Sequence, residues 1–155
     1  MIQEIAKTLL SDLSLRTPVR VRPDTQLFEV VGKLREFRCG SAVVEDADGT
    51  LLGIFTERDL MNRVDHRSFA WHTQPVSQVM TAHPTCVTRD ESLAGALERM
   101  STGGFRHLPI VDANGHATGL VSIRDILNYI VEHYPAEFLN LPPDPEHEMS
   151  GRWGG

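Results

Sequence analysis

The chain has no apolar run near the roughly 18–20 residues that a membrane-spanning helix needs, so it is expected to fold in water. Cysteine is scarce. Cys39 and Cys86 stand far apart with no CxxC spacing, which favours a reduced, cytoplasmic setting over a disulfide-stapled one. The opening residues Met1-Ile2-Gln3-Glu4 lack the basic-then-apolar order of a secretory signal. Positive charge is in short supply, with 15 Lys and Arg against 21 Asp and Glu and a formal net charge of −6. That argues against a broad nucleic-acid surface, which needs a basic stripe, but lets a few arginines hold a small anion. Thirteen of the 15 basic residues are arginine. Arginine suits phosphate recognition, and a genomic composition bias would produce the same count. Catalytic groupings are missing too. His66, His72, His83, His116, His133 and His147 show no metal-ligand spacing, and no nucleophile stands with a plausible base. An enzyme acting on nucleotides is therefore the weakest expectation.

What is present suffices for a core. With 41% hydrophobic residues in 155, the chain suits one compact domain or two packed half-domains. The dominant signal is an internal repeat. Shifted by 66 residues, the second half falls on the first without a gap: Pro18 on Pro84, Val21 on Val87, Asp24 on Asp90, Leu27 on Leu93. Asp46-Ala47-Asp48-Gly49 falls on Asp112-Ala113-Asn114-Gly115, and Thr56-Glu57-Arg58-Asp59 on Ser122-Ile123-Arg124-Asp125. Identities collect at turns, caps and strand ends, while core positions merely stay apolar.

Each repeat reads as strand, helix, strand, strand, helix. In the first, Val19-Arg20-Val21 is a strand, and Asp24 is expected to cap a helix bearing Leu27, Val30, Val31 and Leu34. A hairpin turns at Asp46–Gly49, and a helix from Thr56 carries Leu60, Met61 and Val64. In the second, Cys86-Val87 is the strand, Asp90 the expected cap, and Gly103-Gly104 the break after Leu93, Ala96, Leu97 and Met100. A hairpin around Asn114-Gly115 precedes a last helix with Ile126, Leu127, Ile130 and Val131 on one face. Residues 2–13 are expected to form an amphipathic helix. The organisation is thus an N-terminal helix at 1–15, repeats at 16–66 and 80–134, a linker at 67–79 containing Trp71, and a Pro-rich acidic tail at 135–155 containing Trp153. About 50 residues leave one sheet face uncovered, so the repeats should pack together through their sheets.

Both strand-to-helix junctions read Gly, two apolar residues, a hydroxyl residue, any residue, Arg, Asp. They run Gly53-Ile54-Phe55-Thr56-Glu57-Arg58-Asp59 and Gly119-Leu120-Val121-Ser122-Ile123-Arg124-Asp125. A capping box explains the hydroxyl and the acid. It does not explain the arginine, because a cation in the first turn opposes the helix dipole. An anion at that helix N-terminus would account for it. The Asp cannot bind phosphate, but it can accept hydrogen bonds from a vicinal diol, as dinucleotide folds do with a ribose. Phosphate donors beside a diol acceptor describe a nucleotide.

Over about residues 10–134 the sequence resembles the CBS domain family, named after cystathionine β-synthase. The resemblance rests on both junctions, on Val76-Ser77-Gln78-Val79-Met80-Thr81, and on Arg106-His107-Leu108-Pro109-Ile110-Val111-Asp112. It implies an α/β fold of tandem β-α-β-β-α repeats related by a pseudo-twofold axis. A cleft between the sheets would hold up to two adenosine-containing ligands: AMP, ADP, ATP or S-adenosylmethionine. By that resemblance Asp59 and Asp125 hold ribose, and Thr56 and Ser122 hold phosphate, beside Arg58 and Arg124. Adenine would lie among Ile54, Phe55, Leu120 and Val121, and against Ala42 and Leu108. Gly40-Ser41-Ala42-Val43 lacks counterparts for Arg106, His107 and Pro109, so the Asp125 site is expected to be the stronger. His107 is a candidate contact to phosphate or hydroxyl, though a histidine at a strand start is more often a surface residue. The expected function is a regulatory sensor with no catalytic cofactor. It would act as a homodimer, with an effector protein as a further candidate partner, without nucleic acid or membrane. The alternative is a ligand-free interaction or dimerisation module.

Overall fold

The computed structural model describes residues 2–136, so most of the acidic tail and Trp153 lie outside the described residues. After α1 (Ile2–Lys7), the first repeat builds β1 (Val19–Val21), α2 (Leu27–Glu36), β2 (Ser41–Glu45), β3 (Leu51–Thr56) and α3 (Glu57–Arg63). The second builds β4 (Thr81–Ala82), α4 (Leu93–Gly103), β5 (His107–Val111), β6 (Ala117–Ser122) and α5 (Ile123–His133). The 66-residue offset holds at the level of single pairings. Parallel β1 sets Val21 against Val44, and Val87 meets Ile110 in the same sense as an isolated bridge. Antiparallel β2 and β3 pair Ala42 with Phe55 and Val44 with Gly53. In β5 and β6, Leu108 pairs with Val121 and Ile110 with Gly119, and both hairpins shift register at the next residue.

Strand alternation sorts side chains into two cores. Ala42, Val44 and Phe55 pack with Val21, Leu27, Val30 and Leu34 beneath the first sheet. Leu108, Ile110 and Val121 pack with Leu93, Ala96, Met100 and Ile126 beneath the second. Val43 and Ile54 take the opposite face of the first sheet and are also buried, Val43 completely. A strand covered on both faces has the other repeat above it. The hairpins meet at the pseudo-twofold axis, where Thr50 bridges His116 and the Leu51 N–H donates to the Gly115 carbonyl at 3.0 Å.

The segments before each repeat are exchanged. Leu10 and Leu13 bury in the second core, Val76 and Val79 in the first. The Leu10 N–H donates to the Glu91 carbonyl and the Val76 N–H to the Thr25 carbonyl, each at 2.9 Å. Strand β4 then pairs with β3 of the first repeat. These bonds correct the helix expected over residues 2–13. It stops at Lys7, because Leu9 is drawn into an extended bridge with Ser92, and Leu10–Asp12 forms one 3-10 turn.

The expected caps move for the same reason. Asp24 and Asp90 lie in turns before the helices; α2 starts after Gln26, without a side-chain cap, and α4 after Ser92, whose hydroxyl accepts from the Gly95 N–H at 3.0 Å. The N–H of the first helical residue is taken by the crossing segment, Leu27 donating to Gln74 and Leu93 to Thr8. Helix α4 ends on Gly104 at φ +70°, the left-handed conformation that glycine tolerates. The equivalent position after α2 is Arg38, at φ +51°. Met61, Leu127 and Val131, apolar residues of α3 and α5, are exposed.

Candidate functional site

Both junctions form closed capping boxes, so aspartate does serve as the third-position acid. In the first, the Thr56 N–H and hydroxyl donate to Asp59 Oδ2 at 3.0 and 3.1 Å, and the Asp59 N–H donates back to Thr56 Oγ1 at 3.3 Å. In the second, the Ser122 N–H and hydroxyl donate to Asp125 Oδ2 at 2.7 and 2.8 Å, and the Asp125 N–H returns to Ser122 Oγ at 3.2 Å. The helix cap thus uses one carboxylate oxygen. The other decides what each aspartate can still bind.

The two repeats differ here. Asp59 is buried, and its Oδ1 lies 3.4 Å from Arg63 Nε. Arg63 also donates to the Met80 carbonyl at 3.0 Å. Tyr129 stands where the second repeat would need that arginine, and among the described residues no hydrogen bond or ion pair engages Asp125 Oδ1. The first-turn arginines differ likewise. Arg58 crosses to the other repeat and donates to the Gly104 carbonyl at 2.7 Å, a structural partner that the dipole argument had left unfilled. Arg124 has none among the described residues.

Two neighbouring cavities open at these junctions. One, of about 620 Å3, is lined by Ser122, Arg124, Asp125 and Leu120. The other, of about 500 Å3, is lined by Thr56, Arg58, Asp59 and Ile54. Both lie in the size range of small-molecule sites. Arg106, His107, Gly40 and Glu57 line both and form the wall between them. Burial pushes the His107 imidazole below the ordinary histidine range, against the opposing pull of Asp125 and Glu57 and with the repulsion of Arg106 and Arg58.

The remaining candidates fall elsewhere. Phe55, Val121, Ala42 and Leu108 are fully buried in the two cores and line neither cavity, because strand alternation turns them from the cleft. Pro109, paired with Leu120, is buried and likewise lines neither. Sequence reasoning missed Arg16, Arg35, Arg38, Glu57 and Arg63, which do line them. Glu57 is the unspecified position of its junction, and Arg16, Arg35 and Arg38 break the repeat. No group of His, Cys, Asp and Glu that could hold a metal ion occurs among the described residues. Cys39 and Cys86 are free thiols. No helix among the described residues is long and apolar enough to cross a membrane.

Comparison with known proteins matches the CBS domain model twice, at residues 10–66 and 76–132. An uncharacterised 17.7 kDa protein of Acidianus ambivalens is 34% identical over 144 residues, covering 93% of this chain and 84% of its own length. Other curated relatives are longer, and the chain spans 21% of their length. A CBS-domain-containing protein of Agrobacterium tumefaciens, solved by crystallography, superposes with a TM-score of 0.72 at 38% identity, over 79% of this chain and 98% of that one. A CBS domain protein of Pyrobaculum aerophilum, solved in complex with AMP, superposes with a TM-score of 0.67 at 26% identity, over 81% of this chain and 99% of that one.

Proposed function

The chain belongs to the CBS domain family, and from that premise we propose that it is a regulatory sensor binding an adenine nucleotide at its strand-to-helix junctions. It works by binding, in the cytoplasm, and not by catalysis. The observation that carries this reading is Asp125. Its capping bonds all fall on Oδ2, which leaves Oδ1 to accept from a ribose diol in a cavity that also presents Arg124 and a helix N-terminus. The AMP bound by the Pyrobaculum relative supports the same ligand class. Of the apolar residues expected around adenine, Leu120 and Ile54 line the two cavities and would meet it. The Asp59 site is the weaker of the two, since Arg63 already occupies its second oxygen.

One observation favours a ligand-free interaction module: both boxes are complete without a ligand. That reading leaves Arg124 and Asp125 Oδ1 unexplained. A thermal-shift screen of adenosine, AMP, ADP, ATP and S-adenosylmethionine decides between them, because a ligand of the folded state raises the melting temperature by mass action. An adenine nucleotide should stabilise the protein, with calorimetry resolving one tight and one weak site. No shift with any of the five compounds would overturn the sensor reading.

A further inference from the structure

The two cavities differ in charge in a way the repeat does not account for. The Asp125 cavity is lined by Arg16, Arg35, Arg38, Arg106 and Arg124 against two carboxylates, Glu57 and Asp125. The Asp59 cavity has Arg58, Arg63 and Arg106 against Glu57 and Asp59. At the positions equivalent to Arg16, Arg35 and Arg38 stand Ala82, Ser101 and Gly104, and Gly40 is equivalent to Arg106. Only Arg124 has a basic counterpart, Arg58. Duplication therefore did not supply this surplus of cations, and it sits in a chain of net charge −6.

Four of these five arginines are also uncommitted. Arg16 donates to the Phe37 carbonyl. Among the described residues Arg35, Arg38, Arg106 and Arg124 make no side-chain hydrogen bond or ion pair. Arg58 and Arg63 in the other cavity are both engaged. Guanidinium groups gathered around one space repel one another until an anion enters it. Arg38 adds a second sign, since it holds the left-handed backbone that the second repeat gives to Gly104. Such strain persists where the side chain has a use.

We propose that the Asp125 cavity selects a nucleoside di- or triphosphate over a monophosphate. Arg124 and the α5 N-terminus take the phosphate next to the ribose, and Arg35 and Arg38 take the terminal ones. Planar guanidinium groups suit successive phosphates, whereas a monophosphate leaves the first repeat's cations unneutralised. The proposal rests on the adenosine-ligand reading above, which assigns the ribose to Asp125.

Calorimetry on the intact chain in magnesium-free buffer, with AMP, ADP, ATP and base-free tripolyphosphate, tests it. The comparison protein carries Arg35→Ser and Arg38→Gly, residues that the second repeat already uses at these places. ADP or ATP should bind the unaltered chain at least about tenfold more tightly than AMP, and the double variant should shrink that preference to about threefold or less. AMP should lose less affinity than ADP or ATP, since its single phosphate lies beside Arg124 and the α5 N-terminus. Equal affinity for AMP and ATP in the unaltered chain overturns this inference and leaves the adenosine reading standing. A preference that survives the double substitution overturns the role of the two arginines. Tripolyphosphate binding as tightly as ATP overturns the nucleoside assignment. Binding of none of the adenine compounds overturns the underlying reading itself.

Discussion

At Asp125 the capping bonds and the proposed ribose bonds fall on different oxygens, so substitution separates two energies. Asp125→Ala should lower stability by about 1 kcal/mol through the lost cap. It should also weaken an adenine nucleotide by about ten- to a few-hundred-fold, the worth of one or two charge-assisted hydrogen bonds. The 2′-deoxy nucleotide should bind the unaltered protein more weakly and lose little further on mutation. If Asp125→Ala leaves the ribose-over-deoxyribose preference unchanged, the carboxylate is a helix cap only. His107 supports a second expectation. Its folded-state value is lowered by burial, so the unfolded chain takes up the proton first as pH falls. Its contribution is therefore neutral above about pH 6.5, and stability declines below that until the folded-state value is passed. Denaturant titrations across that range should show a steeper acid slope for the unaltered protein than for His107→Gln. Equal slopes would remove His107 from the account.

At the level of elements, the exchanged leading segments make stability non-local. Leu10 is fully buried in the core of the second repeat, far along the chain from its own. Leu10→Ala should cost about 2–5 kcal/mol. Hydrogen exchange should rise first in α4, β5 and α5, not in α2. Val76, its counterpart 66 residues on, should do the reverse and loosen the first repeat. Uniform loosening of both halves by either substitution would mean that the cores are not separately supported. None of this exchange was legible from periodicity. Residues 2–13 are apolar at helical spacing, and the bridge between Leu9 and Ser92 with the bonds of Thr8 and Leu10 beside it shows that the chain leaves the helix to bond another element. The same competition displaced the caps from Asp24 and Asp90.

The molecule as a whole leaves apolar side chains exposed, among them residues at equivalent places on α3 and α5. Met61 of α3 and Leu127 of α5, equivalent under the 66-residue shift, are 78% and 46% exposed, and Val131 is 45% exposed beside Leu127. Large apolar residues left exposed at equivalent places on two helices suit an interface. We expect a second copy of the chain to cover them. Light scattering on the purified protein should give the mass of a dimer, and Leu127→Asp should return it to the monomer with ligand binding retained. A monomer at micromolar concentration would refute this. In such an assembly a ligand acts as a signal only through its different affinity for two arrangements of the repeats.

The repeat, both hairpins, both junction motifs and the four helices of the repeats were legible in the sequence, whereas the strand expected at Cys86-Val87 reduces to a single bridge at Val87 and β4 at Thr81–Ala82 was not expected. The legible features are written in local periodicity and turn chemistry, and Gly49 and Gly115 at positive φ are where the turn residues put them. Three things were decided only by tertiary structure. The exchange of leading segments depends on which sheet face is left open, a property of no single segment. The retreat of Phe55, Val121, Ala42 and Leu108 into the cores depends on strand register, which sets the face that meets the cleft. The inequality of the two aspartates depends on Arg63, a residue four positions on whose side chain reaches Asp59 Oδ1 while the tyrosine in its place at Tyr129 leaves Asp125 Oδ1 uncommitted. Spacing along a chain shows which groups can meet. Which oxygen is already occupied is settled only when distant side chains fold into the same space.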